Sequence, residues 1–140
     1  MILLVQATVL TVGIDGRHEV LKELPIRLIN VQSGFEAASS FKNESIDSVI
    51  SAWDLVDMPD GIFLKRLRRI RPDIPTIAVV KAGDYAQEVS ARSLGVSAVL
   101  TDHSSNEHIR EVIRLVLGLK DVTSIRGIKA VKETTRREKT

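Results

Sequence analysis

The sequence predicts one α/β domain in which a doubly wound, five-stranded parallel sheet carries helices on both faces. The chain has 140 residues, of which 44% are hydrophobic, so it is long enough for one core and short for two domains. Short apolar segments rich in β-branched residues alternate with segments that have helical spacing. Strict alternation with short connections favours parallel strands joined by right-handed crossovers, which is the basis for this fold class.

Five segments predict strands that are buried on both faces, because each is a short, nearly continuous apolar run. They are residues 8–13, 26–31, 47–53, 75–80 and 97–101. In such sheets a site lies beyond the carboxyl ends of the strands, where the strand order switches. The residues that follow each strand are therefore the candidates for a functional site.

Helical periodicity occurs in five intervening segments, residues 18–24, 34–41, 61–71, 85–94 and 106–119. The last of them has apolar residues at i, i+3, i+4, i+7 and i+8, which define one buried face. These residues are Ile109, Val112, Ile113, Val116 and Leu117. Just before this segment, Ser104 and Glu107 have the S-x-x-E spacing of a capping box, which predicts that the helix starts after Ser104.

Charge separates the end of the chain from the rest. The formal net charge is +2, yet residues 119–140 hold seven Lys/Arg against three Asp/Glu, while residues 1–118 hold thirteen against fifteen. We therefore predict a domain over residues 1–118 and a basic C-terminal extension or linker over residues 119–140. The absence of cysteine excludes disulfides and thiolate sites and suits the cytoplasm. The apolar start lacks a basic flank and is too short to span a bilayer, so we expect no membrane partner.

Several kinds of chemistry are disfavoured by residue spacing. No glycine-rich phosphate loop follows the first predicted strand, and no serine lies in a nucleophile elbow. His103 and His108 are five residues apart and would point to different faces of a helix, which argues against a metal site. The cationic segment "LKRLRRIRPD", residues 64–73, comes with few aromatic residues. We interpret it as a solvated helix face and do not predict nucleic-acid binding.

Three segments resemble the receiver domain of bacterial two-component response regulators. They are "SGFEAASSF" at residues 33–41, "MPDGIFLKRLRRIRPDIPTIAVV" at residues 58–80, and "ARSLGVSAVLT" at residues 91–101. The resemblance covers residues 7–118 and implies the strand order 2-1-3-4-5. It also implies an Asp after the third strand that accepts a phosphoryl group from a histidine kinase. In that family an acidic pair after the first strand holds Mg²⁺, while a Thr or Ser after the fourth strand and a Lys after the fifth bind the phosphoryl oxygens.

At each of these positions the sequence departs from the family's pattern. Gly13 and Ile14 stand where the acidic pair is expected, which leaves Asp15 as the nearby carboxylate. Val80 and Lys81 stand where the hydroxyl residue and an alanine are expected, so the hydroxyl that senses phosphorylation is missing. Lys81 is a candidate replacement for the family's lysine.

The fifth strand and the loop after it also differ from the family. Asp102 and His103 stand in place of Lys-Pro, which reverses a charge next to the expected phosphoryl group. Val99 replaces the aromatic residue that usually moves on phosphorylation. If Mg²⁺ binds at all, Asp15 and Asp54 are the candidate ligands.

The candidate phosphoacceptor lies in "SAWDLVDMPDG", residues 51–61. The family's spacing gives Trp53 when it is counted from Gly61, and Leu55 when it is counted from Met58. Asp54 lies between the two and is the carboxylate closest to the expected position. We therefore predict Asp54 as the acceptor, if there is one, in a loop shifted by one residue.

These departures predict a degenerate receiver, or pseudo-receiver. Such a protein would be a non-enzymatic signalling module that has lost most of its phosphorylation site, needs no cofactor and acts through protein–protein contacts. We expect a histidine kinase or an output domain as partner, and a homodimer. By resemblance, the interaction surface is the face of the fourth helix, the fifth strand and the fifth helix. It is represented by Arg92, Val99, Asn106, Arg110 and Ile113.

Two alternatives stay open. An active receiver in a phosphorelay would use Asp54 together with Asp15. A cobalamin-binding domain is suggested by "VGIDGRH", residues 12–18, although His18 lies three residues after Asp15 where that family has two. In addition, Leu21 stands where that family has a glycine.

Overall fold

A five-stranded parallel sheet in the order β2-β1-β3-β4-β5 forms the centre of the protein, which confirms the predicted fold class and strand order. The computed structural model describes residues 5–14 and 16–119. Its strands are β1 Ala7–Val12, β2 Ile26–Val31, β3 Ser48–Ala52, β4 Thr76–Val80 and β5 Ala98–Thr101. Asp15 and the predicted extension beyond residue 119 lie outside the described residues.

Helical segments occur at the five predicted places, four between consecutive strands and one after β5. They are the 3-10 helix η1 Arg17–Glu23 and the α-helices α1 Gly34–Asn43, α2 Ile62–Ile70, α3 Tyr85–Leu94 and α4 Asn106–Leu117. The first is a 3-10 helix of seven residues that ends just before Leu24-Pro25. The residue before a proline is disfavoured in the α region, which accounts for the early end of this segment.

Two apolar clusters pack on opposite faces of the sheet. Along β1, Val9 contacts the layer formed by η1 and α4, whereas its neighbour Leu10 contacts the layer formed by α1, α2 and α3. Ile50 and Val49 of β3 alternate in the same way, and all four side chains are at most 2% exposed. Because successive strand residues point to opposite faces, a continuous apolar run can be buried on both.

The α4 helix starts at Asn106 as predicted, but its N-cap differs by one residue from the predicted Ser104. Ser105 is the N-cap, and its hydroxyl accepts a hydrogen bond from the main-chain N–H of His108 at 3.1 Å. The hydroxyl of Ser104 accepts instead from the main-chain N–H of Thr101, which closes the turn after β5. Of the two adjacent serines, Ser104 therefore closes the turn after β5 and Ser105 caps the helix.

The parallel register aligns the carboxyl ends of the four strands around the site. Val12 of β1 lies beside Ser51 of β3, and Val80 of β4 lies beside Thr101 of β5. The residues that follow these strands therefore meet at one edge of the sheet. None of the described helices combines the length and the apolar character that crossing a membrane requires.

Candidate functional site

An open cleft of about 310 Å³ lies at the carboxyl ends of β1, β3 and β4 and beside the loop after β5. The described residues that line it include most of the positions predicted from the sequence. They are Gly13, Ile14, Arg17, Ala52, Asp54, Val79, Val80, Lys81, Gln87 and Asp102. The cleft thus brings together two carboxylates and two cationic side chains.

Asp54 is the exposed acidic residue that β3 delivers to this cleft. Its Oδ1 accepts a hydrogen bond from the main-chain N–H of Asp60 at 2.6 Å. Its Oδ2 accepts from the Nε2 of Gln87 at 2.8 Å. Both carboxylate oxygens are therefore already bonded to N–H donors of the protein.

Gln87 joins two loops across the cleft, and the sequence reasoning missed it. Its Oε1 accepts from the main-chain N–H of Lys81 at 2.9 Å, while its Nε2 donates to Asp54. Gln87 lies in the first turn of α3, where its own main-chain N–H donates to the N-cap Asp84. No spacing rule connects residue 87 with residue 54, so only the packing of α3 beside β4 reveals this contact.

The two positions that the family's spacing predicts for the acceptor are both in the core. Trp53 is 3% exposed and Leu55 is 5% exposed, and both belong to the cluster beneath α2. Lys65 of α2 places its Nζ 5.7 Å from the centroid of the Trp53 ring. Because Trp53 packs under α2, its ring does not fill the cleft, and the exposed position between the two buried residues is Asp54.

At the end of β1, the cleft wall is apolar where the family has acidic residues. Gly13 has a φ of +69°, and a Cβ placed there would come within 2.5 Å of Leu55 Cδ2. Ile14 is 8% exposed and packs into the η1 and α4 cluster. A carboxylate at residue 13 would therefore require Leu55 to move, and residue 14 points a hydrocarbon side chain into the core.

The ends of β4 and β5 supply the remaining polar groups. Val80 is 2% exposed, whereas the side chain of Lys81 is exposed at the cleft. Asp102 accepts a hydrogen bond on Oδ1 from the main-chain N–H of Ala82 at 2.8 Å, which links the two loops. Within the described part of the chain, no ion pair joins Lys81 to Asp54 or Asp102.

His103 follows Asp102 but lies outside the set of residues that line the cleft. Its main-chain N–H donates to the Oγ1 of Thr101 at 3.1 Å, and the residue is exposed. The hydrogen bond makes His103 part of the turn after β5.

Arg17 is a second cation at the cleft that sequence reasoning missed. Its guanidinium donates to the main-chain carbonyl of Asp102 at 2.7 Å and to the carbonyl of Ser104. These bonds tie the start of η1 to the loop after β5, 85 residues away along the chain. The signal in the sequence was a lone cation after the first strand, which has no motif of its own.

The donor set of the described residues does not fit the Mg²⁺ site of the family. Such a site needs several hard oxygen ligands around one point. At the end of β1, Gly13 and Ile14 contribute no side-chain oxygen, and the oxygens of Asp54 already accept two N–H groups. Over residues 5–14 and 16–119, no group of three or more His, Cys, Asp or Glu side chains lies close enough together to hold a metal.

The other two aspartates of the β3–α2 loop have structural partners. Asp57 accepts hydrogen bonds from the main-chain N–H groups of Gly34 and Phe35, at 2.9 and 3.0 Å. These bonds, first the one from Gly34 and then the one from Phe35, lower the pKa of Asp57 from its ordinary value of 3.8. Asp60 has a φ of 58° and contributes its main-chain N–H to Asp54.

The residues of the predicted interaction face differ in their exposure. Arg92 of α3 and Asn106 of α4 are exposed, and Val99 is partly buried among the residues beneath α3. Arg110 forms an ion pair with Glu23 of η1 at 3.7 Å. Ile113 is 0% exposed and belongs to the core rather than to the exposed surface.

Two exposed apolar side chains on α3 were not predicted. Tyr85 is 77% exposed and shares a helix face with Arg92, which lies seven residues further on and pairs with Glu88 at 3.0 Å. Val89 is 62% exposed but lines the groove between α3 and α2. The spacing of Tyr85 and Arg92 could have indicated their common face, but not whether that face is free.

Comparison with known proteins identifies the fold. No protein-family model matches the chain, and no curated protein sequence matches it. Many solved structures do match. One is the signal receiver domain of an HD domain-containing protein from Pseudomonas fluorescens, with a TM-score of 0.73 and 20% identity, and the match covers 81% of this chain and 95% of that one.

Two further structures show the same likeness. A CheY-like response regulator receiver domain protein from Methanospirillum hungatei matches with a TM-score of 0.71 and 18% identity, over 80% of this chain and 94% of that one. NtrX from Brucella abortus matches with a TM-score of 0.73 and 14% identity, over 80% of this chain and 27% of that longer chain. The chain therefore has the receiver fold.

Proposed function

We propose that this protein is a signalling module of the receiver type that acts through protein–protein contacts and has lost most of its phosphorylation chemistry. Its partners would be a histidine kinase, an output domain or a second copy of the chain, in the cytoplasm. NtrX, in which the matching part is 27% of the chain, is one protein where this fold occurs within a longer chain. That arrangement is consistent with an output partner.

The observation that carries the proposal is the state of Asp54. A phosphoacceptor needs a carboxylate oxygen that can approach phosphorus, and cations to balance the charge that gathers there, whereas each hydrogen bond to the carboxylate restrains its position and lowers its nucleophilicity. Both oxygens of Asp54 accept N–H groups, and Asp102 stands across the cleft where the family has a lysine. Like charges at close range oppose each other, by roughly 1 kcal/mol at 4 Å in water and more in a drier cleft.

The geometry at Gly13 adds a second argument. An acidic residue at this position would place its Cβ 2.5 Å from Leu55 Cδ2, so the side chain of Leu55 would have to move, and the φ of +69° favours glycine. Restoring the acidic residue would therefore also disturb the packing of the β3–α2 loop. This supports the loss of the phosphorylation site.

An active receiver is the second candidate, because Asp54, Lys81 and Arg17 line the same cleft. Lys81 is exposed and could turn toward a phosphoryl group on Asp54. Breaking the exposed hydrogen bond from Gln87 would release one carboxylate oxygen for attack.

Phosphorylation by a small donor separates the two candidates. The full chain is incubated with acetyl phosphate, with and without Mg²⁺, and the phosphorylated fraction is measured by intact-protein mass spectrometry. We expect no stoichiometric labelling that depends on Mg²⁺. Asp54→Asn and Asp57→Asn are the matched variants, since both remove one carboxylate from the same loop.

The opposite result would contradict the proposal. Stoichiometric, Mg²⁺-dependent labelling that is lost in Asp54→Asn and retained in Asp57→Asn would establish an active receiver and overturn the proposal.

A further inference from the structure

An apolar groove of about 440 Å³ runs between α1 and α2, on the far side of α2 from the α3 helix. Its apolar lining comes from both helices and from the β3–α2 loop. The residues are Ala38, Phe41, Met58, Phe63, Leu67 and Ile70. Ile70 is 72% exposed, so the groove opens to solvent along α2.

Small residues on α1 create this groove. Gly34 and Ala38 are four residues apart and therefore lie on the same face of the helix. A Cβ at Gly34 would lie 2.4 Å from the sulfur of Met58, so the side chain of Met58 occupies the space beside Gly34 and forms the floor. The groove is thus a built feature of the packing between α1 and the β3–α2 loop.

The rim of the groove is cationic. Lys42, Arg66 and Arg71 line it, and none of its ten lining residues is acidic. Arg71 donates to both carboxylate oxygens of Asp73, so part of its charge is balanced. In the described residues, neither Lys42 nor Arg66 forms an ion pair, which leaves two uncompensated cations beside an apolar floor.

We propose that this groove binds an amphipathic segment of a partner protein in which apolar side chains are flanked by Asp or Glu. The apolar floor accepts the hydrophobic face of such a segment, and Lys42 and Arg66 meet its carboxylates. The proposal names a partner class for the interaction function proposed above. It does not depend on whether Asp54 is phosphorylated, and it concerns a different face from α3, β5 and α4.

Charge also argues against two other occupants of the groove, the C-terminal segment of the same chain and a second copy of the chain. The segment 119–140 of the same chain holds seven Lys/Arg against three Asp/Glu, so the rim would repel it. Two copies joined groove to groove would place Lys42 and Arg66 against the same cations of the second copy. An acidic partner is the occupant for which both the floor and the rim are complementary.

Two synthetic peptides test the charge requirement. Both are fluorescein-labelled helices of about sixteen residues, with Leu or Phe at i, i+3, i+4 and i+7. The flanking positions are Glu in the first peptide and Lys in the second. Binding to the full chain is measured by fluorescence anisotropy, and we expect the Glu peptide to bind about tenfold more tightly or better.

Two charge-reversal variants test the location. Arg66→Glu changes a residue of the groove rim, whereas Arg69→Glu makes the same change on the other side of α2, among the residues facing α3. We expect Arg66→Glu to weaken binding of the Glu peptide about fivefold or more, and Arg69→Glu to weaken it less than twofold. Chemical shifts in ¹⁵N-labelled protein should change along α1 and α2.

Each of the following results would overturn the inference. The Glu peptide fails to bind, or binds no better than the Lys peptide or a peptide of residues 119–140. The inference would also be overturned if the two variants weakened binding equally, or if the changes in chemical shift mapped to α3, β5 and α4. A dimer that is seen by sedimentation and dissociated by Arg66→Glu would also overturn the inference, because a second copy would then be the occupant. None of these results bears on phosphorylation of Asp54, so the two proposals fail separately.

Discussion

At the scale of single residues, the three aspartates of the β3–α2 loop differ in what they bind. Asp54 faces the cleft and accepts from Asp60 and Gln87. Asp57 accepts from the first amides of α1, and Asp60 uses its main-chain N–H. The same loop thus supplies a candidate reactive group, an acceptor for the first two amides of α1 beside its N-cap Ser33, and a turn, although the three side chains have the same chemistry.

Asp57 gives a prediction about pH. Its pKa is lowered in the folded protein by the amides of Gly34 and Phe35, so its contribution to stability is complete well above pH 3.8. That contribution is lost as the pH falls through 3.8 toward the lower pKa of the folded state. We expect Asp57→Asn to be less stable than the unmodified chain at pH 7, and the difference to shrink as the pH drops below 3.8.

Urea unfolding at pH 7, 5 and 3 measures this difference. Asp60→Asn is the control, because it removes one charge from the same loop and keeps a residue type that tolerates a φ of 58°. If the difference in unfolding free energy between Asp57→Asn and the unmodified chain stays constant from pH 7 to pH 3, the assigned role of the hydrogen bonds from Gly34 and Phe35 is wrong.

At the scale of elements, the turn between β3 and α2 depends on contact between a glycine and a tryptophan. Gly61 has a φ of +73°, and a Cβ there would come within 2.3 Å of the Trp53 ring. The main-chain N–H of Gly61 also donates to the carbonyl of Trp53 at 2.9 Å. The buried ring and the left-handed turn therefore require each other, and together they present Asp54 to the cleft.

Gly61→Ala and Gly118→Ala form a matched pair that tests this contact. Both glycines have a positive φ, +73° and +63°, but nothing lies within 4 Å of a Cβ at Gly118. Each change should cost about 1–2 kcal/mol for the left-handed backbone. Gly61→Ala should cost roughly 1–3 kcal/mol more because its methyl group overlaps the ring. Urea unfolding followed by far-UV circular dichroism measures both, and equal losses would disprove the contact.

At the scale of the whole molecule, the cleft lies at the carboxyl edge of the sheet, and the helices on the two faces form separate surfaces. On the face of α3, β5 and α4, the α3 helix carries Tyr85 and Arg92 in exposed positions. The predicted members Arg110 and Ile113 turn toward η1 and the core instead. If this face mediates a homodimer, its apolar contacts come from α3.

This surface yields a prediction about assembly. Tyr85→Glu replaces an exposed aromatic residue in the first turn of α3, while Phe35→Glu makes the same kind of change in the first turn of α1, and the two positions are 77% and 73% exposed. We expect Tyr85→Glu to weaken the dimer about tenfold or more and Phe35→Glu to leave it nearly unchanged. Sedimentation equilibrium measures the dissociation constants. A monomeric parent chain, or equal effects of the two variants, would rule out this interface.

Much of the fold was predictable from sequence because apolar period and segment length are local properties. The run at residues 76–80 is apolar on both faces, so it belongs inside a covered parallel sheet. Residues 26–31 include Arg27 and Asn30, which are exposed because β2 is an edge strand. The resemblance added the strand order, and the structure confirms it. The cleft residues Gly13, Ile14, Val80, Lys81 and Asp102 were also identified, since each lies at the end of a strand or within two residues after it.

Only the tertiary structure decided which of these residues lie together. Of Trp53, Asp54 and Leu55, Asp54 is the one exposed at the cleft, because the side chains on either side of it enter the core beneath α2. The bonds of Gln87 to Asp54 and of Arg17 to Asp102 join residues that are 33 and 85 positions apart. Sequence alone determined the sheet and the edge where a site must lie, since these follow from local pattern. The partners of Asp54 follow from loops that meet only when the sheet is assembled.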